Sequence, residues 1–112
     1  MTIIDILQTT KTISYEFYPP READGIPAVF RAMERLAPYN PDFISVTYGA
    51  GGTTRSFTEE IAIQAQQETD CTVMAHITCA GQSQEQLDGV LGRLQDAGIE
   101  NLIALRGDAP PG

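Results

Sequence analysis

Apolar and polar positions along the chain alternate between two periods. Ile13–Tyr18, Phe43–Tyr48, Thr72–Thr78 and Leu102–Arg106 read as four short strands. Three stretches between them repeat at helical spacing. The first sets Ile26, Val29, Phe30, Met33 and Leu36 on one stripe. Asp24 is its expected N-cap, Pro27 falls early, and Pro38 ends it because an interior proline loses a backbone bond and clashes with the preceding turn. The second opens on Ser56-Phe-Thr-Glu59, a capping-box pattern, and runs to Glu68 on a thin stripe of Phe57, Ile61 and Ala65. The third opens at Ser83 with Gln86 three residues on. It carries Leu87, Val90, Leu91 and Leu94 and stops at Gly98.

The strand starts recur every ~30 residues, the size of one βα unit. Alternating units imply parallel strands joined by right-handed crossovers, in either an open doubly wound sheet or part of a (β/α)₈ barrel. Side-chain parity separates the two. Ser14, Glu16 and Tyr18 oppose Ile13, Tyr15 and Phe17; Ser45 and Thr47 oppose Ile44, Val46 and Tyr48. Met74, His76 and Thr78 oppose Val73, Ala75 and Ile77, while Ala104 and Arg106 oppose Ile103 and Leu105. Each strand thus has one apolar face and one that turns polar towards its C-terminal end. A doubly wound sheet is covered and apolar on both faces, whereas a barrel can turn its inner mouth polar. The expected fold is α/β: the N-terminal part of a (β/α)₈ TIM barrel, with four parallel strands and three helices.

On that reading Glu16, Thr47, His76, Arg106 and Asp108 converge on one mouth. A sequestered carboxyl group such as Glu16 can act as an acid near neutral pH, or can simply be ion-paired. His76 reads equally as a hydrogen-bonded interior histidine, and a metal site with Cys79 lacks further ligands. The loop Tyr48-Gly-Ala-Gly-Gly-Thr-Thr-Arg55 can bring backbone N–H groups close to a phosphate or can be a flexible turn. It lacks both the Walker A ending and a third glycine for a dinucleotide fingerprint. Arg21, Arg55 and Arg106 follow strand ends, where together they can hold an anion.

Composition narrows the partners. The chain has 112 residues, within the range of one domain, with a formal net charge of −8. One lysine and six arginines supply no basic stripe, so neither nucleic acid nor an anionic membrane is expected. No apolar run approaches the ~18–20 residues of a membrane span. Residues Met1 to Thr12 place Asp5 early without a cationic start, which argues against a secretory signal. Cys71 and Cys79 flank a strand, roughly 26 Å apart, so reduced thiols and a cytoplasmic setting are expected.

Four segments taken together are specific. Ser14-Tyr-Glu-Phe-Tyr-Pro-Pro20, Phe43-Ile-Ser-Val-Thr-Tyr-Gly-Ala-Gly-Gly52, Ala75-His-Ile-Thr-Cys79 and Leu102-Ile-Ala-Leu-Arg-Gly-Asp-Ala-Pro-Pro111 closely resemble the methylenetetrahydrofolate reductase family, in order and across essentially the whole chain. The resemblance implies a barrel that binds FAD at its C-terminal mouth. It also implies hydride transfer from NADH or NADPH through the flavin to 5,10-methylenetetrahydrofolate, giving 5-methyltetrahydrofolate for methionine synthesis. It assigns Glu16 as the general acid that protonates a folate nitrogen and opens the five-membered ring. Asp108 is implied as a catalytic carboxylate near flavin and folate. Thr47 is placed near the nicotinamide, and Tyr48, Ala50, His76, Arg106, Gly107 and Asp108 near FAD. Eight units need about 240 residues, so residues 1–112 are expected to form strands one to four with the C-terminal half absent. A half barrel exposes two strand edges, which invites a homo-oligomer or a partner. The isolated chain is expected to bind FAD weakly or not at all.

Overall fold

Tyr15, Phe17, Ile44, Val46, Val73, Ala75 and Ile77 all point to the side of the sheet that the helices cover. The computed structural model describes residues 2–9, 11–48 and 52–106, without the side chains of 9 and 52–56. Its elements run α1 (Ile3–Thr9), β1 (Ser14–Phe17), α2 (Ile26–Leu36), β2 (Phe43–Val46), α3 (Gly52–Glu68), β3 (Thr72–Thr78), α4 (Gln84–Asp96) and β4 (Asn101–Leu105). Short 3₁₀ turns at Ala23–Gly25 and Ala37–Tyr39 bracket α2. The four strands form one sheet in the order β1-β2-β3-β4, every neighbouring pair parallel. This is the α/β half-barrel arrangement expected from the repeat.

The core lies between the sheet and α3. Ile61, Ala62 and Ala65 are fully buried there with Val46, and Ile44, Val73, Ala75 and Ile77 are nearly so. Two of these three fully buried α3 residues are alanines, and Ala62 lies beside the thin stripe read from the sequence. Burying one large aliphatic side chain contributes about 1.5–3 kcal/mol, so this contact dominates cohesion.

Helix boundaries follow the sequence unevenly. The third expected helix has its capping box in place: the Gln86 N–H donates to Ser83 Oγ at 3.1 Å, and the Ser83 N–H donates to Gln86 Oε1 at 2.9 Å. It ends at Gly98, whose φ of +86° is open to glycine and strained for other residues. The Ser56 capping box is corrected. Nothing between Gly52 and Ser56 breaks a helix, so α3 begins at Gly52 and Ser56 lies inside it. Asp24 is corrected too: it sits in the 3₁₀ turn, and Gly25 is the N-cap of α2 with no side-chain cap. Gly25 must stay bare because a Cβ there would fall 2.7 Å from Pro20 Cβ.

Two features were not expected. Helix α1 precedes the first strand, and its Ile3 N–H donates to Asn101 Oδ1 at 2.9 Å, tying the chain start to β4. The register of β4 also corrects a face assignment. His76 pairs with Ile103, and Thr78 with Leu105, so Ile103 and Leu105 share the face of Glu16 and His76. Ala104 has the opposite parity and is exposed there, and Arg106 follows β4 with the parity of Ala104. Both cysteines are free, as expected. Among the described residues no helix is long and apolar enough to cross a membrane.

Candidate active site at the C-terminal strand ends

Glu16 lies one residue before the end of β1, on the face the helices leave open. Its neighbours in register are Ser45 on β2 and Met74 on β3. His76 is two residues further along β3 on the same face, which brings its Nε2 to 3.7 Å from Glu16 Oε1. That separation suits attraction to a protonated imidazole and is too long for a direct hydrogen bond. The two groups differ in exposure: the His76 side chain is 11% exposed and that of Glu16 47%. Nε2 of His76 is buried and has no hydrogen-bond partner among the described residues. An orphaned buried nitrogen costs about 1–3 kcal/mol. The other carboxyl oxygen, Glu16 Oε2, accepts a hydrogen bond from the Tyr18 hydroxyl at 3.2 Å.

The next strand end is held at two points. The Thr47 N–H donates to the Phe17 carbonyl at 2.9 Å, extending the β1–β2 ladder one residue past β2. The Thr47 carbonyl accepts from Thr58 Oγ1 on α3 at 2.7 Å. Thr58 is 1% exposed, so the root of the glycine-rich loop is pinned from within the core. Thr47 and Tyr48 are half-buried there. Sequence reading passed over Thr58, although its offsets to Ile61, Ala62 and Ala65 place a hydroxyl on the buried stripe.

The remaining expected residues divide. Arg106 is exposed just past β4, and its carbonyl accepts the Ala80 N–H at 2.8 Å. Ala50, Gly107 and Asp108 lie outside the described residues, as does the Arg55 side chain; Arg21 is exposed after β1. The structure therefore joins Glu16 with His76 and sets Thr47 and Tyr48 at the adjacent strand end. A cavity of about 480 Å³ lies at the opposite end of the strands, lined in part by Met33, Asp42, Asp70 and Cys71. It contains none of the expected site residues. Among the described residues no His, Cys, Asp and Glu cluster could hold a metal ion.

A parallel sheet covered by helices on one face, with an acid–imidazole pair at the C-terminal strand ends of the other, defines a βα-barrel fold seen over its first four strands. Residues 2–112 match the family described as methylenetetrahydrofolate reductase, and the chain belongs to that family of oxidoreductases. It is 41% identical over 105 residues to methylenetetrahydrofolate reductase (NADH) 1 of Arabidopsis thaliana, a match covering 94% of this chain and 18% of that protein. It is 36% identical over 104 residues to the 5,10-methylenetetrahydrofolate reductase of Pectobacterium carotovorum, covering 93% and 35%. Identity to the Escherichia coli protein of that name is 34% over 100 residues, covering 89% and 34%. The chain spans roughly a fifth to a third of the length of these curated relatives.

Proposed function

We propose that residues 1–112 supply strands one to four of a flavin-dependent reductase barrel. Its reaction reduces 5,10-methylenetetrahydrofolate to 5-methyltetrahydrofolate with NADH or NADPH, in one-carbon metabolism and methionine biosynthesis. The observation that carries this reading is the Glu16–His76 pair on the open face at the strand ends, in a chain that belongs to the family. Glu16, half-exposed and facing the mouth, can hold a proton on its carboxyl and release it to a nitrogen of the folate. Asp108, by its place in the family motif, is the second carboxylate.

The residues fit FAD on one structural point: the buried, unpartnered Nε2 of His76 needs a polar partner at the mouth. His76 would hold the flavin together with Tyr48, Ala50, Arg106, Gly107 and Asp108, and Thr47 would meet the nicotinamide side. Bound FAD would supply the carrier that passes hydride from nicotinamide to folate. Thr47 keeps its part of the mouth in place through its bonds to Phe17 and Thr58. The two free cysteines suit a cytoplasmic setting.

A second reading is favoured by the strand edges. β1 and β4 each have one edge without a strand partner among the described residues, and Leu102 and Leu105 are 43% and 42% exposed on β4. Taken alone, the chain is then a non-catalytic half barrel that needs a second copy, a partner or the C-terminal half. One experiment tests the enzymatic reading. In the full-length reductase, Glu16→Gln is expected to slow folate reduction by about 10²-fold or more while leaving flavin reduction by NAD(P)H intact. Equal loss in both half-reactions would overturn the role of Glu16.

A further inference from the structure

Glu16 alone does not fix where its proton points. A half-exposed glutamate can turn its carboxyl freely, and the contact to His76 at 3.7 Å is too long to stop it. The residue that does so lies two positions along the same strand face. Tyr18, 70% exposed, reaches back so that its hydroxyl donates to Glu16 Oε2 at 3.2 Å. No other group among the described residues donates a hydrogen bond to that carboxyl. The two oxygens are thereby told apart: Oε2 is engaged by Tyr18, and Oε1 faces His76 and the open mouth.

We propose that Tyr18 is a positioning residue for the acid, a role that rests on the reading of Glu16 as the proton donor. When the proton leaves Glu16, its O–H bond breaks, an N–H bond forms on the folate nitrogen, and a carboxylate remains. Tyr18 keeps its own proton throughout. Its hydrogen bond changes from one accepted by a neutral carboxyl to one accepted by an anion, which is roughly twice as strong. The contact therefore strengthens as the transfer proceeds, and such an interaction raises turnover more than affinity. Phenylalanine would preserve the ring and remove only this donor.

The test uses the full-length, FAD-loaded enzyme with Tyr18→Phe, Glu16→Gln and the double variant, each followed in both half-reactions. Tyr18→Phe is expected to lower kcat for folate reduction about five- to ten-fold with KM for the folate unchanged. Flavin reduction by NAD(P)H stays at the wild-type rate, which also reports an intact fold. In the Glu16→Gln background Tyr18→Phe is expected to have no further effect. An equal fold-loss in both backgrounds, or an unchanged kcat in the single variant, overturns the positioning role and leaves the acid in place. Full folate reduction by Glu16→Gln overturns the acid reading and the proposal with it.

Discussion

Thr58→Val asks whether the glycine-rich loop is held from inside the core. The two side chains have nearly the same shape, so the substitution exchanges a hydroxyl for a methyl at a position only 1% exposed. If the hydroxyl were idle, valine would be neutral or stabilising, because apolar burial at this site would increase. The 2.7 Å bond to the Thr47 carbonyl predicts the opposite sign. Losing a hydrogen bond and leaving a partly buried carbonyl short of a donor costs about 1–3 kcal/mol. The half-buried setting of Thr47 admits some water, which places the expectation at about 1.5 kcal/mol. With a urea m-value of about 2 kcal/mol/M, the unfolding midpoint should fall by roughly 0.7 M at unchanged m. The assay is urea titration followed by far-ultraviolet circular dichroism. A midpoint equal to or above that of the unsubstituted chain would refute the pinning argument.

Ser83→Ala removes the side-chain half of a complete capping box and should cost about 1 kcal/mol by the same titration. Gly98→Ala places a Cβ at a φ of +86°, with Gln66 Nε2 3.9 Å away; thermal unfolding should show a loss of about 1–2 kcal/mol from backbone strain rather than collision. The Arg93–Glu59 pair joins α4 to α3 at the surface, with Nη2 donating to Oε2 at 3.1 Å. The hydrogen bond to Glu59, and then the attraction of its charge, raise the Arg93 guanidinium above its ordinary value. A raised folded-state value gives stability that is present below the ordinary arginine range and lost only above it. Titration of Arg93 should therefore leave stability flat across neutral pH. Arg93→Ala should cost no more than about 1 kcal/mol, and less in high salt.

Parity and repeat length carried the strands because a sheet with one covered face writes its alternation into the sequence. Thr72–Thr78 is a strand over all the residues expected, and its burial alternates at every step. The helices were legible where their ends are chemical. Ser83, Gln86 and Gly98 define α4 through specific hydrogen bonds and one backbone angle. At Ser56 the same kind of motif misled, since a Ser-x-x-Glu pattern fits a helix interior as well as a helix start. Helix α1 was missed because it is short and its anchor to Asn101 lies 98 positions away in sequence.

The site was legible up to the point where it depends on register between strands. Within one strand, parity placed Glu16, Tyr18 and His76 on the polar side, and the structure joins Glu16 to both of the others. Between strands, parity has no common origin: slipping β4 by one residue exchanges its two faces. Its sequence, Asn101-Leu-Ile-Ala-Leu105, is apolar on either alternate from Leu102 to Leu105, so no pattern fixed which set met His76. The pairing of His76 with Ile103 settles it and lines the mouth beside the histidine with an aliphatic side chain. Ile103 thus flanks His76 on β4, while Glu16 faces it from β1, its Oε1 3.7 Å from Nε2.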